Sequence, residues 1–139
     1  QPAALILLSP WADFEHKDST SRTENFAKDK VLGEGTPFAP HLRSTPPYAG
    51  DLPLDDPRLS PIHADLRGLP PMLIQTGSYD LLLTEDEQLA AKANADGTDV
   101  TFTVYPEMPH VFPLVLPELA ESFVALEEMR NFVDHHMPR

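Results

Sequence analysis

Cysteine is absent from the 139 residues, which removes disulfides, thiolate nucleophiles and Cys-ligated zinc from consideration. Long apolar runs are absent as well. The longest, Ala3 to Leu8, falls far below the roughly 20 residues of a membrane-spanning helix. No basic stretch precedes an apolar one at the start, so neither a membrane span nor a signal segment is expected. Basic residues are scarce, with 10 Lys plus Arg against 22 Asp plus Glu. A net charge of −12 and a pI near 4.7 argue against nucleic acid and anionic membrane surfaces as partners. These absences describe a soluble, acidic, cytoplasmic chain. Its length suits a single domain, residues 1–139, with a core of its own.

What is abundant is proline. Sixteen residues are about twice the usual share of roughly 5%, and they crowd the stretch from Thr36 to Pro71. Proline fixes φ and removes a backbone donor, so this stretch is neither a continuous helix nor a central strand. Phe38, Leu42, Tyr48, Leu52, Leu54, Leu59, Ile62 and Leu69 are spread through it, too apolar for disorder. It reads as a long ordered connection with short turns.

Ala3 to Leu8, stopped by Ser9-Pro10, has the length and flanks of a strand buried on both faces, hence internal to a sheet. Asp18 to Leu32 holds a short helix starting near Ser19 or Ser21. Pro71 to Gly77 is a second buried strand. Thr84-Glu85-Asp86-Glu87 has the capping-box pattern, with three acids complementing the helix dipole; this helix ends at Gly97. Val100 to Tyr105 is a third strand. A last helix opens at Pro117 and buries a stripe of Leu119, Phe123, Leu126, Met129, Phe132 and Val133 to about residue 135. Strand, helix, strand, helix at these spacings predicts an α/β class with parallel strands. Three strands are a thin core for an internal first strand, so further structure is expected on the N-terminal side.

Ligands bind outside the carboxyl ends of parallel strands. Asp80 follows the second strand and His110 the third, and right-handed crossovers bring both loops to one rim. A carboxylate on the Nδ1–H of a histidine sets its tautomer and stabilises the imidazolium. A capping aspartate and a loop histidine fit the same positions.

Leu8-Ser9-Pro10-Trp11-Ala12-Asp13, Asp56 to Pro61, Ala64 to Gln75, Gly77 to Leu83 and Met108-Pro109-His110-Val111-Phe112, in that order, resemble the C-terminal half of the hormone-sensitive-lipase-like carboxylesterases, which are α/β-hydrolases. The resemblance implies that the strands are the last three of an eight-stranded sheet. It places residues 18–71 near the active-site mouth and makes Asp80 the triad acid and His110 the general base. The expected reaction is carboxylic ester hydrolysis through an acyl-enzyme, without cofactor or metal. Many members carry an acid where this chain has Thr84. The family's Gly-x-Ser-x-Gly elbow and His-Gly-Gly-Gly-type oxyanion loop occur nowhere in the chain, and its seven serines, at 9, 19, 21, 44, 60, 78 and 122, all lack that setting. The nucleophile is therefore expected from a missing N-terminal half, and the 139 residues alone are expected to be inactive, whether they are a cleavage product, a truncation or one part of an interrupted sequence. The family also implies a homodimer through the last strand and helix. Serine peptidases of the prolyl-oligopeptidase type, which share the order of Asp loop and His loop, and a non-catalytic interaction module derived from the same fold are the alternatives.

Other candidates have plainer explanations. His135-His136 do not share a helix face and read as a solvated tail. His16, His41 and His63 have no partner at ligand spacing. Glu85-Asp86-Glu87 lacks an EF-hand pattern, and Asp55-Asp56-Pro57 starts a turn. Trp11 lines a pocket or joins the core.

Overall fold

The computed structural model describes residues 2–42 and 44–137. The three apolar stretches form β1 (Leu5–Leu8), β2 (Met72–Gly77) and β3 (Val100–Tyr105). Among the described residues they make one parallel sheet in the order β1-β2-β3, with Leu5 opposite Met72 and Met72 opposite Val100. The helices are α1 (Ser21–Glu24), α2 (Leu83–Ala95), α3 (Phe112–Val115) and α4 (Ala120–His136). No helix among the described residues is long and apolar enough to cross a membrane.

The central strand β2 is buried throughout, and its alternating side chains serve two layers. Met72 and Ile74 pack with Leu89, Ala90 and Ala93 of α2. Gln75 instead reaches α4, donating through Nε2 to the Ala125 carbonyl (3.0 Å) and to the Glu128 carboxylate (2.6 Å). A fully buried Ile or Leu stabilises by about 1.5–3 kcal/mol, so this β2–α2 layer carries much of the apolar core. The strand read as internal differs: Leu5 to Leu8 are only half-buried, and among the described residues β1 pairs on one side alone. An apolar strand is buried by what covers it, and this chain covers one edge of β1.

The proline-rich connection is ordered by three single turns of 3-10 helix, Ala39–His41, Pro47–Ala49 and Pro61–His63, each with a proline in its first positions. Ser60 fastens it to the sheet end: its Oγ donates to the Leu54 carbonyl (2.6 Å) and accepts the Phe14 N–H (2.8 Å). Trp11 is half-buried and stacks on Phe14, with centroids 4.9 Å apart and planes 9° from parallel. The turn at Asp56 forms, with Arg58 donating to its carboxylate from backbone and guanidinium. Those bonds hold the Asp56 carboxyl down at about 2.

Two helix starts differ from the sequence reading. Thr84 is not the cap of α2, which begins at Leu83 behind Leu82 with no side-chain cap. The Thr84 N–H goes to Ser21 Oγ (3.1 Å), and Thr84 Oγ1 accepts the Ser21 N–H (3.0 Å). Those donors are satisfied across the fold by α1, which a local pattern does not reveal. The far end matches: Gly97 at φ +89 closes α2 with Gly97 N–H on the Asn94 carbonyl and Thr98 N–H on that of Ala93, a Schellman pair. The last helix starts at Ala120 rather than Pro117, because α3 intervenes and Ser122 Oγ donates to the Leu116 carbonyl (2.7 Å). Its expected apolar stripe is also rotated. Ser122, Ala125 and Phe132 are buried, while Phe123 is 63% and Leu126 45% exposed. Glu128 explains the rotation: its carboxylate accepts from Thr103 Oγ1 (2.6 Å), Tyr105 OH (2.8 Å) and Gln75, which draws a polar position onto the sheet. Burial and that carboxylate push the Tyr105 phenol up from its usual range.

Candidate functional site

The loops leaving β2 and β3 meet. Gly77 allows it, since a Cβ there would lie 1.8 Å from the Met108 carbonyl oxygen. Backbone bonds stitch the two loops, Ser78 N–H to the Tyr105 carbonyl (2.9 Å) and Tyr79 N–H to that of Met108 (3.1 Å). Ser78 Oγ accepts the Glu107 N–H (2.7 Å).

This stitching sets His110 Nδ1 3.3 Å from both Oδ1 and Oδ2 of Asp80. Asp80 is fully buried, and the His110 side chain keeps 16% exposure, so the histidine alone is reachable. The separation is longer than the 2.7–2.9 Å of a charge-assisted bond. Asp80 is held by more than the histidine. Its Oδ1 accepts the Leu82 N–H (2.8 Å) and its Oδ2 faces Thr76 Oγ1 (3.4 Å).

Sequence reasoning missed the bracing of this loop. Asn25 donates through Nδ2 to the carbonyls of Ser78 (3.0 Å) and Asp80 (2.8 Å). Buried Asp29 accepts the Leu81 N–H through Oδ2 (3.0 Å) and the N–H groups of Val31 and Leu32 through Oδ1. Ser9 Oγ, at the end of β1, accepts the Val111 N–H (3.1 Å). None of these residues stands in a recognisable local pattern; only their meeting in space shows what they do.

The acidic group at the start of α2 is not a solvated helix end. Glu85 and Asp86 are both fully buried. Arg22 Nε pairs with Glu85 Oε1 at 2.5 Å, and His16 Nδ1 lies 3.6 Å from the same oxygen. The Arg22 guanidinium also lies 4.9 Å from the centroid of Trp11. Neither Asp86 oxygen has a hydrogen-bond partner among the described residues. Burial first, and the neighbouring Asp80 charge second, push the Asp86 carboxyl well above its ordinary 3.8. The folded state thus binds this proton more tightly than the unfolded chain, and stability falls as pH rises above about 4. Asp86→Asn should therefore raise the melting temperature at pH 7, by the equivalent of about 1–3 kcal/mol, with the gain shrinking towards pH 4. Thermal melts between pH 4 and 8 check this; a pH-independent difference would show that the charge is not the cause.

Asp13, Glu15 and His63 bring three ligand-type atoms within 4.8 Å of one another. The Asp13 oxygens already accept the N–H groups of Glu15 and His16, and Glu15 pairs with Lys17 at 2.5 Å, so the group is accounted for by its own ion pairs. His135 and His136 lie at the end of α4, with ring centroids 4.7 Å apart. Among the described residues no serine hydroxyl bonds to His110. Ser9, Ser21, Ser60, Ser78 and Ser122 are all occupied with backbone groups.

Comparisons with known proteins place the fold in a family. A family model described as the alpha/beta hydrolase fold matches residues 1–114. An acetyl-hydrolase of Streptomyces hygroscopicus is 38% identical over 132 residues, covering 95% of this chain and 42% of that protein. The crystal structure of an esterase from the bacterial hormone-sensitive lipase family superposes with a TM-score of 0.87 at 34% identity, over 98% of this chain and 44% of that one. A hormone-sensitive lipase from a metagenome library gives 0.86 at 29%, over 99% and 45%. The chain thus spans less than half the length of the relatives it matches. It belongs to the alpha/beta hydrolase fold family, and its sequence and fold group it with the hormone-sensitive-lipase-like esterases.

Proposed function

We propose that the chain is the C-terminal portion of a carboxylesterase and supplies the acid and the general base of its Ser-His-Asp triad. The observation that carries this is the contact of buried Asp80 with the part-exposed His110 at the carboxyl rim of a parallel sheet. Asp80 holds the proton on His110 Nδ1, which leaves Nε2 to take the proton of a serine attacking the ester carbonyl. The same nitrogen then protonates the departing alcohol, and water, deprotonated in turn, releases the acid from the acyl-enzyme. No cofactor or metal enters these steps. The nucleophile and the oxyanion donors come from an N-terminal half, whose adjoining strand would cover the free side of β1. The outer edge of β3, which pairs with no strand among the described residues, with exposed Phe123, Val124 and Leu126 on α4, is the face through which a homodimer would form on this reading. The names of the relatives support ester rather than peptide hydrolysis.

The test is direct. The protein joined to its N-terminal half should hydrolyse p-nitrophenyl butyrate, and a serine-reactive sulfonyl fluoride should label a Gly-x-Ser-x-Gly serine outside residues 1–139. The 139 residues alone should give no turnover above buffer. Turnover by the short chain, or labelling of one of its own serines, would overturn the division of the triad.

A further inference from the structure

The loop that presents His110 is strained on both sides. Glu107 and Val111 sit at φ +60 and +45, in the left-handed region that strains a non-glycine residue. Val111 is the more costly, being β-branched. The conformation has a geometrical purpose: Val111 turns the chain directly from His110 into α3, whose Leu114 and Val115 N–H groups bond to the Val111 carbonyl at 2.9 Å and 3.3 Å. A relaxed Val111 would change the direction in which His110 leaves the backbone.

Something must hold that conformation. The Val111 N–H donates to Ser9 Oγ at 3.1 Å, across 102 residues of sequence. Ser9 is itself anchored. It is buried, its own N–H bonds to the Gln75 carbonyl at 2.9 Å, and it too is left-handed, at φ +46. Glu107 at the other end is held separately, by Ser78 Oγ. The hydroxyl of Ser9 thus ties the end of β1 to the residue beside His110, while making no hydrogen bond to the side chain of His110 or Asp80 among the described residues.

We propose that Ser9 is a positioning residue for ester hydrolysis: its hydroxyl locks Val111 in the left-handed conformation that aims His110 at Asp80. The proposal rests on the triad reading for its effect on turnover, but its effect on the His110–Asp80 contact does not depend on catalysis. Losing the hydroxyl lets Val111 relax, and relaxation returns the strain energy, so the fold should lose little stability while the histidine is misaligned.

The experiment uses the complete enzyme with Ser9→Ala, alone and with Val111→Gly, since glycine adopts the left-handed conformation without strain. Misplacing a catalytic group by about 1 Å costs up to about 100-fold. Ser9→Ala should therefore lower kcat by about 10- to 100-fold, leave KM within twofold, and weaken the downfield Nδ1–H proton resonance of His110. Adding Val111→Gly should restore both kcat and the resonance at least in part, because nothing then drives the loop out of place. A Ser9→Ala enzyme within threefold of wild-type kcat would overturn the proposal, as would a double variant no better than Ser9→Ala or a change confined to KM. If the triad reading itself were wrong, His110→Ala would leave turnover intact, whereas the resonance would still report whether Ser9 sets the contact.

Discussion

In the complete enzyme, His110→Ala should lower kcat for a short-chain ester by about three to six orders of magnitude, as loss of a triad base does, with KM nearly unchanged. The split follows from where His110 sits. Its Nδ1 faces Asp80 at 3.3 Å, so on the proposed reading its other nitrogen would act on the proton in flight rather than on the bound ester. An interaction made only in the transition state appears in kcat. Stability should change little, since the side chain is part-exposed and lies on a loop. Steady-state kinetics on p-nitrophenyl butyrate with a parallel thermal melt measure both quantities. More than a tenth of wild-type turnover would remove His110 from the general-base role. A large fall in melting temperature would show that the variant had lost its fold rather than its base.

The second large effect is expected at Gly77→Ala. A Cβ at this position would lie 1.8 Å from the carbonyl oxygen of Met108 and 2.4 Å from its carbonyl carbon. Neither is the tip of a flexible side chain. The loop from Tyr105 to His110 is fastened to residues 78 and 79 by three hydrogen bonds, so it cannot retreat without breaking them. Overpacking of this kind costs typically 1–3 kcal/mol and more against backbone. At about 2–4 °C per kcal/mol, a cost at the upper end, about 3 kcal/mol, should lower the melting temperature by about 6–12 °C. Activity should fall further than stability at any temperature where the protein is folded, because the displaced segment carries His110. A variant melting within 2 °C of wild type would mean that the two loops are not in contact as described. Gly33 is crowded in the same way, by the carbonyls of Phe26 and Asp29, and because Asp29 holds the Leu81 N–H a clash there should also disturb the loop that carries Asp80.

Some of this was determined by the sequence alone. The three strands and the end of α2 followed from β-branched and apolar runs bounded by proline and glycine, which are local preferences that the tertiary fold left intact. The meeting of Asp80 and His110 was legible because parallel strands carry their following loops to one rim. Tertiary structure decided the rest. The start of α2 was set by Ser21 reaching across from α1, and the face of α4 by Glu128 bonding to β2 and β3. Both overrode patterns that were sound in isolation. The burial of Glu85 came with His16 and Arg22 folding onto it from far back in the chain, and periodicity contains no information about that. Ser9, Asn25 and Asp29 brace the site from positions 102, 55 and 52 residues away. A hydrogen bond between residues so distant leaves no mark in the local pattern of either, so the pair at the centre was visible in the sequence and the frame that aims it was not.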